Sequence, residues 1–376
     1  MRFNRSRAST LLYALELLGG AATIGAPALC AQAGPSPSQF ELVRQLEADK
    51  FDLSRLSGFV TSPTGLLAVP QGQDFAIRIF TADLKPVATV GRRGAGPGEF
   101  QAMGAMAWRG DQLVVSDKQL ARAAVFSSAG KYVRGYRLPA VPADPASKYK
   151  QLTLQRFLAD GSLLFSTVYR AQPSGWTRKA LVLSETGGFV REVADIPDDH
   201  CELERADASL IIPYCPRTLV AYAPRGGLVV TGRPLRERAG QAGLELRMVS
   251  SQGAQLTAAT VRVPTVPLSG ARKDSTMTEL YRNVPYAKEM LRGVDVPSVL
   301  PPVREMQVGD DGTIWLKLSR IEQGKVLWWI LDRTGRPMAS VWLAVEDRLV
   351  WVEGRQFALI QSDDGGSERI AWYRLK

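Results

Sequence analysis

The sequence predicts an all-β fold, a six-bladed β-propeller closed by its own N-terminal strand. Three observations carry this expectation. Helical periodicity is scarce, while short β-rich runs bounded by turn residues are frequent. A two-part unit of turn, strand, strand, small-residue turn and strand recurs five times. A sixth unit begins at Asp347 and runs out of chain, while a strand near the start has no unit of its own.

The recurring unit opens with a glycine turn, in SPTGLLAV, WRGDQLVV, LADGSLLF, PRGGLVV and DDGTIWL. Its second turn falls in FTADLKPVATV, FSSAGKYVRGY, LSETGGFVREV, VSSQGAQLTAATV and LDRTGRPMASVWL. The opening glycines are Gly65, Gly110, Gly161, Gly226 and Gly312, at steps of 45, 51, 65 and 86 residues. The first steps match one four-stranded blade of about 40 to 50 residues, and insertions stretch the later ones. The spare strand, FELVRQL from Phe40 to Leu46, is expected to complete the C-terminal blade. Such pairing removes an open sheet edge.

The longest insertion, Thr265 to Pro302, differs in kind. Thr276 and Glu279 have the spacing of a capping box. TMTELYRNV and PYAKEMLRG read as two short helices ended by Pro297, Pro301 and Pro302. The insertion is either a surface excursion between blades or a lid over one end of the ring.

The N-terminus reads as an export signal over residues 1–33, leaving 34–376 as the propeller. Arg2, Arg5 and Arg7 precede an apolar stretch from Leu11 to Cys30, and Ala31-Gln32-Ala33 forms a small-residue cleavage site. Glu16 interrupts the apolar run, which opposes a membrane anchor more than a signal. Leu29 and Pro27 do not suit lipidation of Cys30. Cleavage after Ala33 removes three arginines and one glutamate and leaves a net charge of +8 instead of +10. No later segment has 18 uninterrupted apolar residues, so no membrane span is expected after cleavage. Of the three cysteines, Cys201 and Cys215 remain. In an oxidising compartment they pair, closing a loop of about 15 residues worth roughly 3 kcal/mol. The alternative is two free buried thiols.

The run VGRRGAGPGEFQAM, followed by AMAWRGDQLVVSDKQLARAAVFSSAGKYVRGY, resembles an NHL repeat. Gly94, Gly96, Gly98, Glu99 and Phe100 carry that family's glycine-rich turn, Asp117 ends the second strand, Arg122 falls on the arginine position and Phe126 on the closing aromatic. Leu120 replaces the usual Asn, and Asp74 and Ala76 depart from the pattern in the first blade. The chain is similar to exported bacterial six-bladed propeller proteins of the NHL-like superfamily. The resemblance implies the fold and leaves the function open.

GRRGAGPGEF, residues 91–100, does not suit a nucleotide loop. Its spacing is Gly94-x-Gly96-x-Gly98, and a strand follows it instead of a helix. It is expected to cross from the first blade to the second.

Chemistry is thinly signalled. One histidine, His200, stands beside Cys201, a small set for zinc. Asp198-Asp199, Asp310-Asp311 and Asp363-Asp364 could offer calcium ligands but sit where acidic residues form turns. No Gly-x-Ser-x-Gly elbow occurs. No cofactor is therefore expected beyond calcium as an alternative. Arg92, Arg93 and Arg122 are candidate binding residues for an anionic envelope polymer or glycan, or for a protein, and export argues against nucleic acid. Trp315, Trp328, Trp329, Trp342, Trp351 and Trp372 are expected to pack the last two blades, with Trp328 or Trp329 the more exposed.

The function expected is an exported, non-catalytic binding or scaffold propeller. The alternative is a metal-dependent propeller hydrolase or lyase, lactonase-like, with its site in the central channel. Several acidic side chains converging on the channel would favour the enzyme, and apolar and small residues there the scaffold.

Overall fold

A computed structural model describes residues 34–139, 149–171, 175–197, 201–205, 208–238, 241–282, 286–294 and 296–376. Residues 34–376 form one compact unit. The signal segment lies outside the described residues.

The N-terminal strand β1 (Phe40–Glu47) pairs antiparallel with the last strand of the chain, from Phe40 opposite Leu375 to Glu47 opposite Arg369. Blade I follows as β2 (Val60–Thr61), β3 (Leu67–Gln71), β4 (Ala76–Phe80) and β5 (Pro86–Val90). Blade II is β6 (Met103–Arg109), β7 (Gln112–Asp117), β8 (Arg122–Ser127) and β9 (Tyr132–Arg137). Blade III is β10 (Tyr149–Phe157), β11 (Leu163–Ala171), β12 (Gly175–Leu183) and β13 (Phe189–Ile196). A hairpin, β14 (Glu202–Arg205) and β15 (Ala208–Ile211), intervenes. Blade IV is β16 (Leu219–Tyr222), β17 (Leu228–Arg238), β18 (Gln241–Ser250) and β19 (Gln255–Pro264). After helices α1 (Gly270–Tyr281) and α2 (Ala287–Met290) comes blade V, with β20 (Val303–Val308), β21 (Ile314–Glu322), β22 (Lys325–Leu331) and β23 (Pro337–Ala344). Blade VI is β24 (Arg348–Glu353), β25 (Gln356–Ser362) and β26 (Glu368–Leu375), with β1 outermost. Each blade is a four-stranded antiparallel sheet, in chain order in blades I to V and completed by β1 in blade VI, so the fold is a six-bladed β-propeller closed as expected by its N-terminal strand.

The core is six hydrophobic clusters, one at each junction between neighbouring blades. A blade buries both faces, so its middle strands read as continuous apolar runs rather than alternating ones. β22 shows how. Val326, Trp328 and Ile330 pack toward blade VI, while Leu327, Trp329 and Leu331 pack toward blade IV. This corrects the expectation for Trp328 and Trp329. They do face opposite ways, but both faces are covered, and their exposures are 1% and 2%. Each contributes on the order of 2–3 kcal/mol of apolar burial.

The segment before β1 is tied down as well. Pro37 bridges to Ser340 on β23, Ser38 N–H donates to the Ser340 carbonyl (2.7 Å), and the Ser340 hydroxyl donates to the Pro35 carbonyl (2.9 Å). Residues 35–38 therefore clasp the edge of blade V just before β1 completes blade VI.

The two insertions pack together into one accessory lobe. Leu210 of the hairpin meets Ala287, Met290 and Leu291 of the helical segment. The Tyr281 hydroxyl donates to the Ile211 carbonyl. Cys201 and Cys215 are joined by a disulfide across the base of this hairpin, with Cα atoms 5.5 Å apart. The helical insertion is present, but Thr276 is no cap. α1 begins six residues earlier, where the Lys273 N–H bonds back to the Ser269 carbonyl (3.0 Å), because the ARKDS run continues the helix backward without a breaker.

Candidate functional site

Antiparallel alternation brings the turns between first and second strands of all six blades to the same end of the ring. Five of these turns contain the repeat glycines Gly65, Gly110, Gly161, Gly226 and Gly312, and the sixth contains Gly354. All six have positive φ, between 56° and 90°, a conformation that favours glycine. A cavity of about 450 Å³ opens at this end. Every blade contributes to it at or beside this turn, through Pro63, Arg109, Ala159, Arg225, Asp310 and Glu353 among others. β2 is only two residues long, so the inner edge of blade I is short. The cavity runs on as a slot beside blade VI, walled by Phe59, Trp351 and Trp372, with Phe59 and Trp372 ring centroids 5.1 Å apart. Trp108 and Phe157 complete the aromatic lining, and Trp108, Trp351 and Phe59 are half-buried.

Most arginines here hold neighbouring blades together. Arg109 donates to the carbonyls of Gly161 (2.8 Å) and Ser162 (3.4 Å) in blade III and lies over the Phe157 ring. Arg156 of blade III donates to the carbonyls of Ala223 (3.0 Å) and Tyr222 (2.9 Å) in blade IV. Burial lowers the Arg156 pKa, and Asp310 opposes that shift. Arg44 of blade VI donates to the Ala82 carbonyl of blade I and sits 4.4 Å from the centre of Trp372.

Three groups keep capacity to bind. The Arg225 backbone N–H donates to Asp310 Oδ1 (2.9 Å), while its guanidinium, with a side chain 62% exposed, stays 3.8 Å from Asp310 Oδ2. Burial raises the Asp310 carboxyl above its ordinary pKa, against the pull of Arg225. Glu353 is half-buried, paired through its backbone with Gln356, and its carboxylate makes no hydrogen bond among the described residues. Burial raises its pKa too; Arg225 opposes the shift, and the charges of Asp310 and Asp311 reinforce it.

Arg92, Arg93 and Arg122 lie at the other end of the ring, on and beside the crossover from blade I to blade II. Arg122 donates to the carbonyls of Ala95 (2.8 Å), Gly96 (2.6 Å) and Glu99 (2.9 Å), so its guanidinium organises the glycine-rich loop. Arg92 pairs with Glu99 (2.6 Å), which also accepts from the Gly96 N–H (2.7 Å). Arg93 sits over the Phe75 ring at 5.5 Å. Asp117 receives backbone N–H groups from Gln101, Ala102, Gln119 and Leu120. GRRGAGPGEF is thus an internally satisfied crossover between blades, as expected.

Asp311 and Asp363 are turn formers. Asp311 receives the Thr313 N–H (3.0 Å), and Asp363 receives those of Gly365 (3.0 Å) and Ser367 (2.9 Å). Asp310 departs from that expectation by facing the cavity. Asp198, Asp199 and His200 lie outside the described residues. Among the described residues no three His, Cys, Asp or Glu side chains are grouped to hold a metal ion. The carboxylates at the channel mouth do not make such a set, and no step through a metal can be built on them.

The cavity residues were missed, although the sequence holds a signal for them. Arg109, Arg225 and Glu353 each immediately precede a turn glycine, and Asp310 stands two before one. Once the repeat is read as a ring, that register places them together at one end of the channel.

No protein-family model and no curated protein matches the chain. Solved structures do. A DUF4221-family member from Bacteroides vulgatus matches with a TM-score of 0.50 at 9% identity, covering 91% of this chain and 99% of that one. A candidate exported protein from Bacteroides fragilis gives 0.43 at 10% identity, over 90% and 95% of the two chains. Virginiamycin B lyase from Staphylococcus aureus gives 0.41 at 10% identity, over 90% and 100%. At these identities the likeness is one of fold.

Proposed function

We propose that the protein is an exported, non-catalytic binding propeller that takes its ligand, a protein or an envelope polymer, at the channel mouth. The observation that carries this reading is the cavity to which every blade contributes at or beside its turn. Its aromatic walls supply apolar contact, and Arg225 and Glu353 keep polar atoms to orient a ligand. That composition is typical of a binding pocket. Arg2, Arg5, Arg7 and the Ala31-Gln32-Ala33 site support export, as does the Cys201–Cys215 disulfide.

The test is capture. Immobilised protein is exposed to the envelope and secreted fractions of its own source, beside an Arg225→Glu, Glu353→Arg double variant and an Arg92→Glu, Arg93→Glu double variant. A species retained by the wild type and the second variant, and lost by the first, is expected. Retention that ignores the cavity variant refutes the reading.

A further inference from the structure

We infer that the channel mouth takes a neutral sugar, a hexopyranosyl unit of an oligosaccharide or polysaccharide, with the chain running out through the slot beside blade VI. The inference rests on the channel mouth being the binding site, and it names the ligand class.

The available groups select the ligand. Half-buried Trp108, Trp351 and Phe59 line the cavity and present to it the part of each ring that the core does not cover, an apolar wall for an apolar face. The half-buried Glu353 carboxylate makes no hydrogen bond among the described residues. A carboxylate only accepts, so its partners must be donors such as hydroxyls. The Arg225 guanidinium only donates, and a hydroxyl or ether oxygen satisfies it. A sugar ring supplies one apolar face and a rim of hydroxyls that both donate and accept.

Charge narrows the class. A polyanion entering here would meet Asp310 and Glu353, and behind them Asp311, whose charge reaches Glu353. Arg109 and Arg44 also border the cavity, but Arg109 is paired with Glu185 (3.3 Å), and Arg44 donates to the Ala82 carbonyl and lies over Trp372, so Arg44 and Arg225 face Asp310 and Glu353 in equal number. A cation would meet Arg225. Adjacent opposite charges of nearly equal number favour a ligand that is polar and uncharged. This departs from the anionic polymer expected on the arginine-rich crossover at the other end of the ring.

The experiment titrates the protein with maltohexaose, cellohexaose, mannohexaose and an N-acetylglucosamine hexamer, and with polygalacturonate and heparin as anionic counterparts. Calorimetry and tryptophan emission report binding. Saturable binding of at least one neutral oligosaccharide is expected. Glu353→Gln is expected to weaken it by about tenfold or more, as loss of one charge-assisted contact would, and Trp351→Ala by about the same factor, through loss of an aromatic contact surface. Thermal unfolding of Glu353→Gln is expected to stay near wild type, because its side chain borders the cavity. Trp351→Ala is expected to lower it, because Trp351 also packs against Phe59 and the core between blades VI and I, so its binding is measured well below its unfolding transition. Arg92→Ala should bind as wild type. Binding of the polyanions alone would overturn the inference, as would sugar binding that survives both cavity substitutions. No sugar binding, together with a polypeptide captured through the same cavity, would overturn the sugar inference and leave the proposed function standing. Capture indifferent to the cavity would overturn both.

Discussion

Replacing Asp117 should unfasten the crossover between blades I and II. Its side chain is 1% exposed. Oδ2 accepts the Gln101 N–H at 2.7 Å, and Oδ1 accepts those of Ala102 (3.3 Å), Gln119 (3.0 Å) and Leu120 (3.0 Å). One carboxylate thus closes both the crossover and the turn from β7 to β8. Asp117→Ala leaves four backbone donors without an acceptor. Gln119 is exposed and can turn to water, while Gln101, Ala102 and Leu120 are half-buried. A hydrogen bond to a charged group is worth about 1.5–3 kcal/mol. Allowing for partial rescue by water, the loss should be about 3–5 kcal/mol. Asp117→Asn keeps the shape but sets an amide N–H₂ against one of the donors, so about 1.5–3 kcal/mol should be lost. Urea unfolding measures both, with the midpoint falling and the slope unchanged. A loss below about 1 kcal/mol in both variants would refute the reasoning, as would an Asn variant equal to wild type.

Three further outcomes follow from particular contacts. A Cβ on Gly34 would lie 2.8 Å from Cζ2 of the buried Trp329. Gly34→Ala should cost about 1–3 kcal/mol by overpacking and raise hydrogen exchange along residues 337–344, and unchanged exchange there would show that the clasp contributes nothing. Reducing the Cys201–Cys215 disulfide should lower stability by about 3 kcal/mol on the chain-entropy account, seen as a lower urea midpoint, and an unchanged midpoint would contradict it. Burial raises the Asp310 and Glu353 carboxyls above their unfolded values. Their contribution to stability is therefore present below the unfolded pKa and lost as pH rises through the folded one. The urea midpoint of an Asp310→Asn, Glu353→Gln variant should gain on wild type as pH goes from acid toward neutral, and parallel profiles would contradict that.

The fold was legible because its repeat is marked by glycines whose positive φ only a few residues tolerate. Gly65, Gly110, Gly161, Gly226 and Gly312 set the blade register, and the unpartnered strand at Phe40 announced closure. Detail that depends on neighbours was less legible. Alternation along β22 separated Trp328 from Trp329 correctly, but a strand inside a propeller has no solvent face. Local spacing placed a cap at Thr276, while the helix simply continued back to Gly270. The hairpin 202–211 gave no separate signal, because its strands are four residues long and its apolar partner lies some 80 residues on, at Met290. The basic surplus suggested an anion-binding face. Much of it is instead directed at backbone carbonyls, with Arg44, Arg109 and Arg156 joining blades and Arg122 holding a loop. The cavity stayed hidden because its residues are far apart in sequence and meet only when the ring closes.

The most direct test of the account is where a bound ligand protects the chain. Hydrogen–deuterium exchange would be compared with and without the species the protein captures. Slowed exchange at the turns around Gly110, Gly226, Gly312 and Gly354, with the crossover 91–102 and the lobe 265–302 unchanged, is the predicted result. Protection confined to the crossover or to the lobe would contradict the account and move the site to the other end of the ring.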